Sequence, residues 1–276
     1  MAKKDEGEMS FLEHLEVLRW HILRALVSIL VVAIVAFIFK DIVFNTILLG
    51  PKSPEFLTNR LLCEFGRIVN VNKLCINSKP LELISIKMAG QFSMHIMVSL
   101  MSGFILAFPY IFWEFWRFVV PALYSREKKH ARGAVFYSSM LFNLGVLFGY
   151  FIITPLSIHF LGSYSVSDQV TNQINLISYV STIASVVLAA GIIFELPILV
   201  YFLSKAGLVT PNFLKKYRRH SLVLILALSA IITPPDIFSQ VLVALPLIIL
   251  YEVGISISRR ILRKKEVEEL EAEKKE

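Results

Sequence analysis

The sequence predicts an all-α integral membrane protein: a single polytopic domain of six transmembrane helices in a concave bundle, with both termini in the cytoplasm. Three observations lead there. Of the 276 residues, 56% are hydrophobic and the mean hydropathy is +0.67, above the roughly 45–50% apolar share of soluble domains. The apolar residues are gathered into runs, and neither Ala89–Trp113 nor Gly133–Leu161 contains an Asp, Glu, Lys or Arg. Runs of about 18 or more such residues are long enough to span a bilayer, and lipid admits only helices or closed barrels. Period-2 alternation, the mark of a barrel strand, is absent. Finally, Lys and Arg are segregated: four up to Arg24, five in the loop with Arg117, five in the loop with Lys205, seven in the C-terminal tail and none in the two shorter opposite loops. With basic residues held inside, six spans and two inner termini satisfy the count. The same rule accounts for the net charge of +7 without invoking nucleic acid.

In chain order, Ser10 and Glu13 form an S-x-x-E capping box. Phe11, Leu12, Leu15 and Leu18 follow at helical spacing, so a short amphipathic helix at the inner interface runs into the first span, roughly 20–39. The apolar run Ala25–Phe39 is long and no small-x-small site precedes Lys40, unlike a cleavable signal peptide. Residues 40–88 form a long outer loop, which keeps seven Lys/Arg because long translocated segments weigh little in the charge rule. Both cysteines, Cys63 and Cys75, lie in it; the outer compartment is usually oxidising, so a disulfide between them is expected.

The second span is expected at 89–112, the third at 135–160, and the fourth at 179–202, interrupted by Glu195 and Pro197. Thr210-Pro211 reads as a cap and first helical residue. The last two spans, 220–233 and 236–258, read as short, separated only by Thr233-Pro-Pro-Asp236. In that turn Pro235 and Asp236 take structural, helix-starting roles. Prolines at 109, 155, 197 and 246 are expected to bend four helices, hence the concavity. The tail, 259–276, is cytoplasmic and reads as a charged helix with a frayed end.

Nothing in the chain reads as an enzyme. P-loop, dinucleotide, HExxH and EF-hand motifs are all absent, so no metal or cofactor is expected. Gly162-Ser-Tyr-Ser165 has no paired base. His95 and His159, isolated in apolar runs, read as packing residues.

The chemistry gathers instead in Tyr110–His130, YIFWEFWRFVVPALYSREKKH, whose aromatic half gives way to Arg126, Glu127, Lys128 and Lys129. Tyr and Trp collect at the bilayer surface and Lys/Arg just inside it. Glu127 is the one carboxylate within the basic cluster. A carboxylate binds one Arg bidentately, so two consecutive arginines need more than one acceptor.

SFLEHLEVLR before the first span, FWRFVVPALYSREKK after the second, FELP in the fourth and TPPDIFSQ between the last two resemble the TatC family, the receptor and core subunit of the twin-arginine protein translocase. The resemblance covers nearly the whole chain in order. It implies binding of twin-arginine signal peptides of folded cargo at the cytoplasmic face of a bacterial plasma (inner) membrane. It further implies recruitment of TatA-type and TatB-type single-span subunits, self-association, and transport driven by the proton-motive force without enzymatic activity. By the resemblance Glu127, with Arg126 beside it and Pro121 shaping the loop, matches the signal-binding carboxylate. The family's second one lies in H-L-x-E-L-R; here that place holds Val17, and Glu16 or Glu13 takes over. The intramembrane glutamate matches Glu195, which with Gln240 forms the polar contact for a partner helix. A different reading makes Glu195 the proton site of a secondary transporter, and a simpler one has it bond a carbonyl freed by Pro197.

Overall fold

The computed structural model describes residues 11–71, 75–77, 81–119, 131–167, 169, 172–232 and 237–273. They form ten α-helices among the described residues: α1 (Phe11–Ile38), α2 (Leu57–Ile68), α3 (Gly90–Val119), α4 (Ala131–Phe148), α5 (Thr154–Ser163), α6 (Leu176–Ile193), α7 (Leu196–Lys205), α8 (Pro211–Lys216), α9 (Arg218–Ile232) and α10 (Ile237–Glu273). A π-helical run over Ile42–Leu48 follows α1, and another over Gly149–Ile153 joins α4 to α5. Two two-residue strands, β1 (Leu83–Ile84) and β2 (Ile174–Asn175), pair in parallel, Leu83 opposite Ile174. This is the all-α membrane class that the composition implies.

Five stretches among the described residues are long and apolar enough to cross a membrane: Leu15–Ile38, Gly90–Val119, Gly133–Ser163, Leu176–Lys205 and Gln240–Val267. The expected fifth span is α9. Its 15 residues reach roughly 22 Å at about 1.5 Å per residue, against about 30 Å of hydrocarbon. The sixth is not short: α10 runs for 37 residues through Pro246. Its apolar part passes directly into Arg, Lys and Glu, all good helix formers, with no breaker between. The second span likewise continues through Pro109 to Val119, seven residues past its expected end at 112. A proline stops a helix only if the freed carbonyl and the ring clash go uncompensated.

The residues fall into two compact units, Met1–Phe39 with Ser99–Ser139, and Lys40–Val98 with Met140–Glu276. In the first, α1 packs on the C-terminal part of α3. A methyl group on Gly103 would stand 2.7 Å from the Ile29 carbonyl and 2.9 Å from the Ala33 Cβ, so the two backbones meet there.

In the second unit, Ile153, Val186, Ala190, Ile225, Val243, Ala244 and Leu247 form a buried cluster that draws together the π-helical turn, α6, α9 and α10. α4 and α6 touch through small residues. A Cβ on Gly145 would lie 2.6 Å from the Ala190 carbonyl, and one on Gly149 2.9 Å from the Ala190 Cβ. Gly145-x-x-x-Gly149 is thus a small-xxx-small contact of the kind that lets membrane helices approach closely. α10 packs along α7, α8 and α9. The Ser204 hydroxyl donates to that of Ser258 (2.8 Å), and the Tyr251 hydroxyl to the Leu214 carbonyl (2.7 Å). Thr210 caps α8 as expected, its hydroxyl accepting from the Phe213 N–H at 3.2 Å.

The 40–88 loop carries real structure. Cys63, in α2, is joined to Cys75 by a disulfide. Pro155 has no N–H to give the Phe151 carbonyl four residues back, and that carbonyl accepts the Thr58 hydroxyl of α2 instead. Asn77, in left-handed backbone (φ 58° at Asn70, 50° at Asn77), donates to the Pro155 carbonyl at 3.1 Å. Buried Asn59 donates to the carbonyls of Pro51 (3.0 Å) and Ser53 (2.7 Å). The loop is therefore fastened at the proline of the third span, where spare backbone acceptors exist. His159 accepts from the Asn77 N–H at 3.4 Å and the His95 ring packs edge-on against Phe44, which agrees with packing roles.

Candidate functional site

α1 and the end of α3 belong to the same compact unit, and one residue fastens them. Glu114, in the middle of the aromatic run, has only 2% of its side chain exposed. The His21 ring of α1 donates from Nδ1 to its Oε2 at 2.5 Å. Arg24 Nη1 lies 3.8 Å from the same oxygen, and Arg117 Nη1 lies 3.6 Å from Oε1. Tyr110 lies one turn before Glu114 on the same face of α3. A carboxylate this far from water is tolerated only when paired and hydrogen-bonded, and His21, Arg24 and Arg117 supply that pairing.

The periodicity of each helix makes this possible. His21, Arg24 and Ser28 recur at helical spacing along one face of α1, and Tyr110, Glu114 and Arg117 along one face of α3. Around them, Tyr110, Trp113 and Phe115 are exposed while Trp116 is buried. That is the expected belt, with one ring turned inward.

Glu114→Ala should leave two guanidiniums facing each other without their shared anion. The expected loss is about 3 kcal/mol, the low end for a broken buried pair because both arginines reach water. Glu114→Gln should lose less, since an amide oxygen still accepts from His21. Thermal denaturation of the detergent-solubilised protein measures both; an alanine variant as stable as its parent would show that Glu114 does not hold α1.

Of the residues singled out from sequence, Pro121, Arg126, Glu127, Pro235 and Asp236 lie outside the described residues. Glu16 is exposed on α1, and Val17 half-buried; Glu13 lies in α1, its side chain outside the described set. Glu195 sits half-buried at the break between α6 and α7, in the turn Phe194–Glu195 before Pro197. Its carbonyl accepts from the N–H groups of Ile198 and Leu199, both at 3.0 Å. Gln240 donates from Nε2 to the Leu226 carbonyl at 3.2 Å, linking α10 to α9. Arg218 at the start of α9 and Glu252 in the middle of α10 form a 2.6 Å ion pair. No group of three or more metal-ligating side chains occurs among the described residues.

Glu114 was not singled out from sequence. The uncharged run ends at Trp113, so a lone acid next to a tryptophan belt was the available signal. Its significance depends on His21, 93 residues away.

A family model described as Sec-independent protein translocase protein (TatC) matches residues 13–246. The Sec-independent protein translocase protein TatC of Blattabacterium sp. subsp. Periplaneta americana is 41% identical over 265 residues, covering 95% of this chain and 100% of that protein. That of Aquifex aeolicus is 35% identical over 258 residues, covering 93% and 98%. A solved structure described as the twin arginine translocase receptor TatC superposes with a TM-score of 0.67 at 35% identity, covering 91% of this chain and 100% of the other. A second, of the same receptor in the detergent DDM, gives 0.68 over 89% and 99%.

Proposed function

The chain belongs to the TatC family of Sec-independent protein translocase proteins, and from that premise we propose that it is the twin-arginine signal-peptide receptor and core subunit of its translocase. It is a multi-pass membrane protein and a translocase component; the family is not one of catalytic enzymes. Folded cargo crosses the bacterial plasma membrane with it, driven by the proton-motive force, in company with TatA-type and TatB-type single-span subunits and further copies of itself. Both termini face the cytoplasm.

The observation that carries the reading is the Glu114 clamp. It fixes the start of α1 to the end of α3, so the two segments expected to hold cargo, residues 13–17 and the loop with Glu127, leave from one anchored place. His21 lies four residues after Val17, on the same helix face, and position 13 lies four before it. A carboxylate at 13 therefore keeps the register that Val17 abandons, while Glu16 sits on the neighbouring exposed face. The purified protein should retain a twin-arginine peptide and release its twin-lysine counterpart, because a guanidinium binds carboxylate in two-point geometry and an ammonium does not. Equal retention of the two peptides would remove the receptor assignment.

Glu195 and Gln240 serve partner helices rather than cargo in this scheme. Glu195→Ala should leave peptide retention unchanged and reduce export of a folded reporter. Loss of peptide binding in a correctly inserted Glu195→Ala protein would contradict the division of roles.

A further inference from the structure

A groove of about 370 Å³ opens between α1 and α3, lined by Trp20, Leu23, Arg24, Val27, Ser28 and Tyr110. Arg24 and the rings of Trp20 and Tyr110 stand beside the apolar side chains of Leu23 and Val27, with Ser28 the last lining residue along α1. Arg24 also belongs to the Glu114 cluster, where two guanidiniums share a single carboxylate. Among the described residues, the two guanidiniums face one carboxylate, which leaves an excess positive charge. The Arg24 and Arg117 side chains are about half exposed (49% and 55%), and neither stands closer than 3.6 Å to Glu114, the close contact being taken by His21.

We propose that this groove holds one anionic phospholipid, its phosphate at the Arg24 guanidinium and an acyl chain along Leu23 and Val27. Basic pockets between membrane helices take anionic headgroups in this way. Trp20 and Tyr110, 56% and 44% exposed, mark the depth at which glycerol and headgroup lie. The apolar half selects a lipid over a free phosphate, which would leave Leu23 and Val27 uncovered. The uncompensated charge selects an anionic lipid over a zwitterionic one. Lipid binding here needs neither cargo nor a partner subunit.

The groove carries its own probe, since Trp20 is one of only three tryptophans. In a Trp113→Phe/Trp116→Phe protein reconstituted in phosphatidylcholine vesicles, Trp20 emission is titrated with acyl-brominated phosphatidylglycerol or acyl-brominated phosphatidylcholine. Phosphatidylglycerol should quench at a mole fraction lower by about fivefold. Arg24→Gln should bring the two lipids close to parity, and Arg24→Lys should keep most of the preference. Lys216→Gln removes an equal charge elsewhere and should leave it intact. Equal quenching in the parent protein overturns the proposal. So does an equal loss in Lys216→Gln, which would reduce the effect to general surface attraction, and so does abolition of the preference by millimolar inorganic phosphate. Native mass spectrometry of the protein with all tryptophans retained gives an independent reading. One phosphatidylglycerol retained per chain, and lost in Arg24→Gln, supports the site; none retained in the parent sinks it.

Discussion

Gly145→Leu should prevent recovery of folded protein, and Gly145→Ala should already lower stability by about 1–3 kcal/mol. A Cβ at this position would stand 2.6 Å from the Ala190 carbonyl, 2.8 Å from the Phe194 Cβ and 2.9 Å from the Gly191 Cα. These are mostly backbone atoms, which cannot rotate away as a side-chain tip can. Relief requires α6 to back off from α4, and Gly149 and Gly191 hold the same interface, a Cβ on Gly191 falling 2.9 Å from Phe142. In lipid such close packing is a main source of helix association, because no hydrophobic driving force brings the helices together. Gly133 supplies the control on the same helix. Among the described residues nothing lies within 4 Å of a Cβ there, so Gly133→Ala should be neutral, or stabilising by up to about 1 kcal/mol through helix propensity. Thermal unfolding followed by size-exclusion recovery in detergent separates the two positions. A Gly145→Leu protein with the melting behaviour of its parent would mean that α4 and α6 do not meet as described.

Glu127→Ala should weaken binding of a twin-arginine peptide by about tenfold or more, and Glu127→Arg by more still. A charge-assisted contact contributes about 1.5–3 kcal/mol, and each 1.4 kcal/mol is a factor of ten. The reversed charge adds repulsion to the lost contact, in a loop that already holds Arg126, Lys128 and Lys129. Two consecutive arginines need a second acceptor, so Glu13→Gln or Glu16→Gln should give a defect of similar size. Thermal stability should not move in any of these variants, in contrast to Glu114→Ala, and that difference separates binding residues from the clamp. Normal binding by Glu127→Ala at low salt would reduce the cluster to a solvated surface. Silence of both Glu13→Gln and Glu16→Gln beside a severe Glu127→Ala would leave the cargo with one acceptor only.

What could be read from the sequence was what lipid and local chemistry impose. Long uncharged runs gave the membrane helices, the Thr210-Pro211 pair gave the α8 cap, and two cysteines in one loop gave the disulfide that joins Cys63 to Cys75. The helix end beside Pro109 was misjudged, because the helix continues to Val119 where local rules offer a stop, whereas the charged tail beyond Ser258 is helical as read. The docking of the 40–88 loop was also hidden. It rests on the Phe151 and Pro155 carbonyls meeting Thr58 and Asn77 from far along the chain. Glu114 shows the same limit at the candidate site. Among aromatic neighbours it reads as a stray charge, and only the fold supplies His21 and Arg24 to satisfy it.

α10 has a consequence for how the molecule can be instrumented. Its 37 residues extend for roughly 55 Å, well beyond the hydrocarbon thickness, and Lys265 Nζ ties it to the Lys205 carbonyl at 2.8 Å. The eight residues from Glu266 to Glu273 continue the same rod for about 12 Å past that tether. A fluorophore at position 273 would therefore ride on a stiff mast rather than a string, its bearing fixed by the α10 axis. Its emission anisotropy would track the tumbling of the whole particle, and distances taken from it to a labelled cargo would need little correction for linker slack.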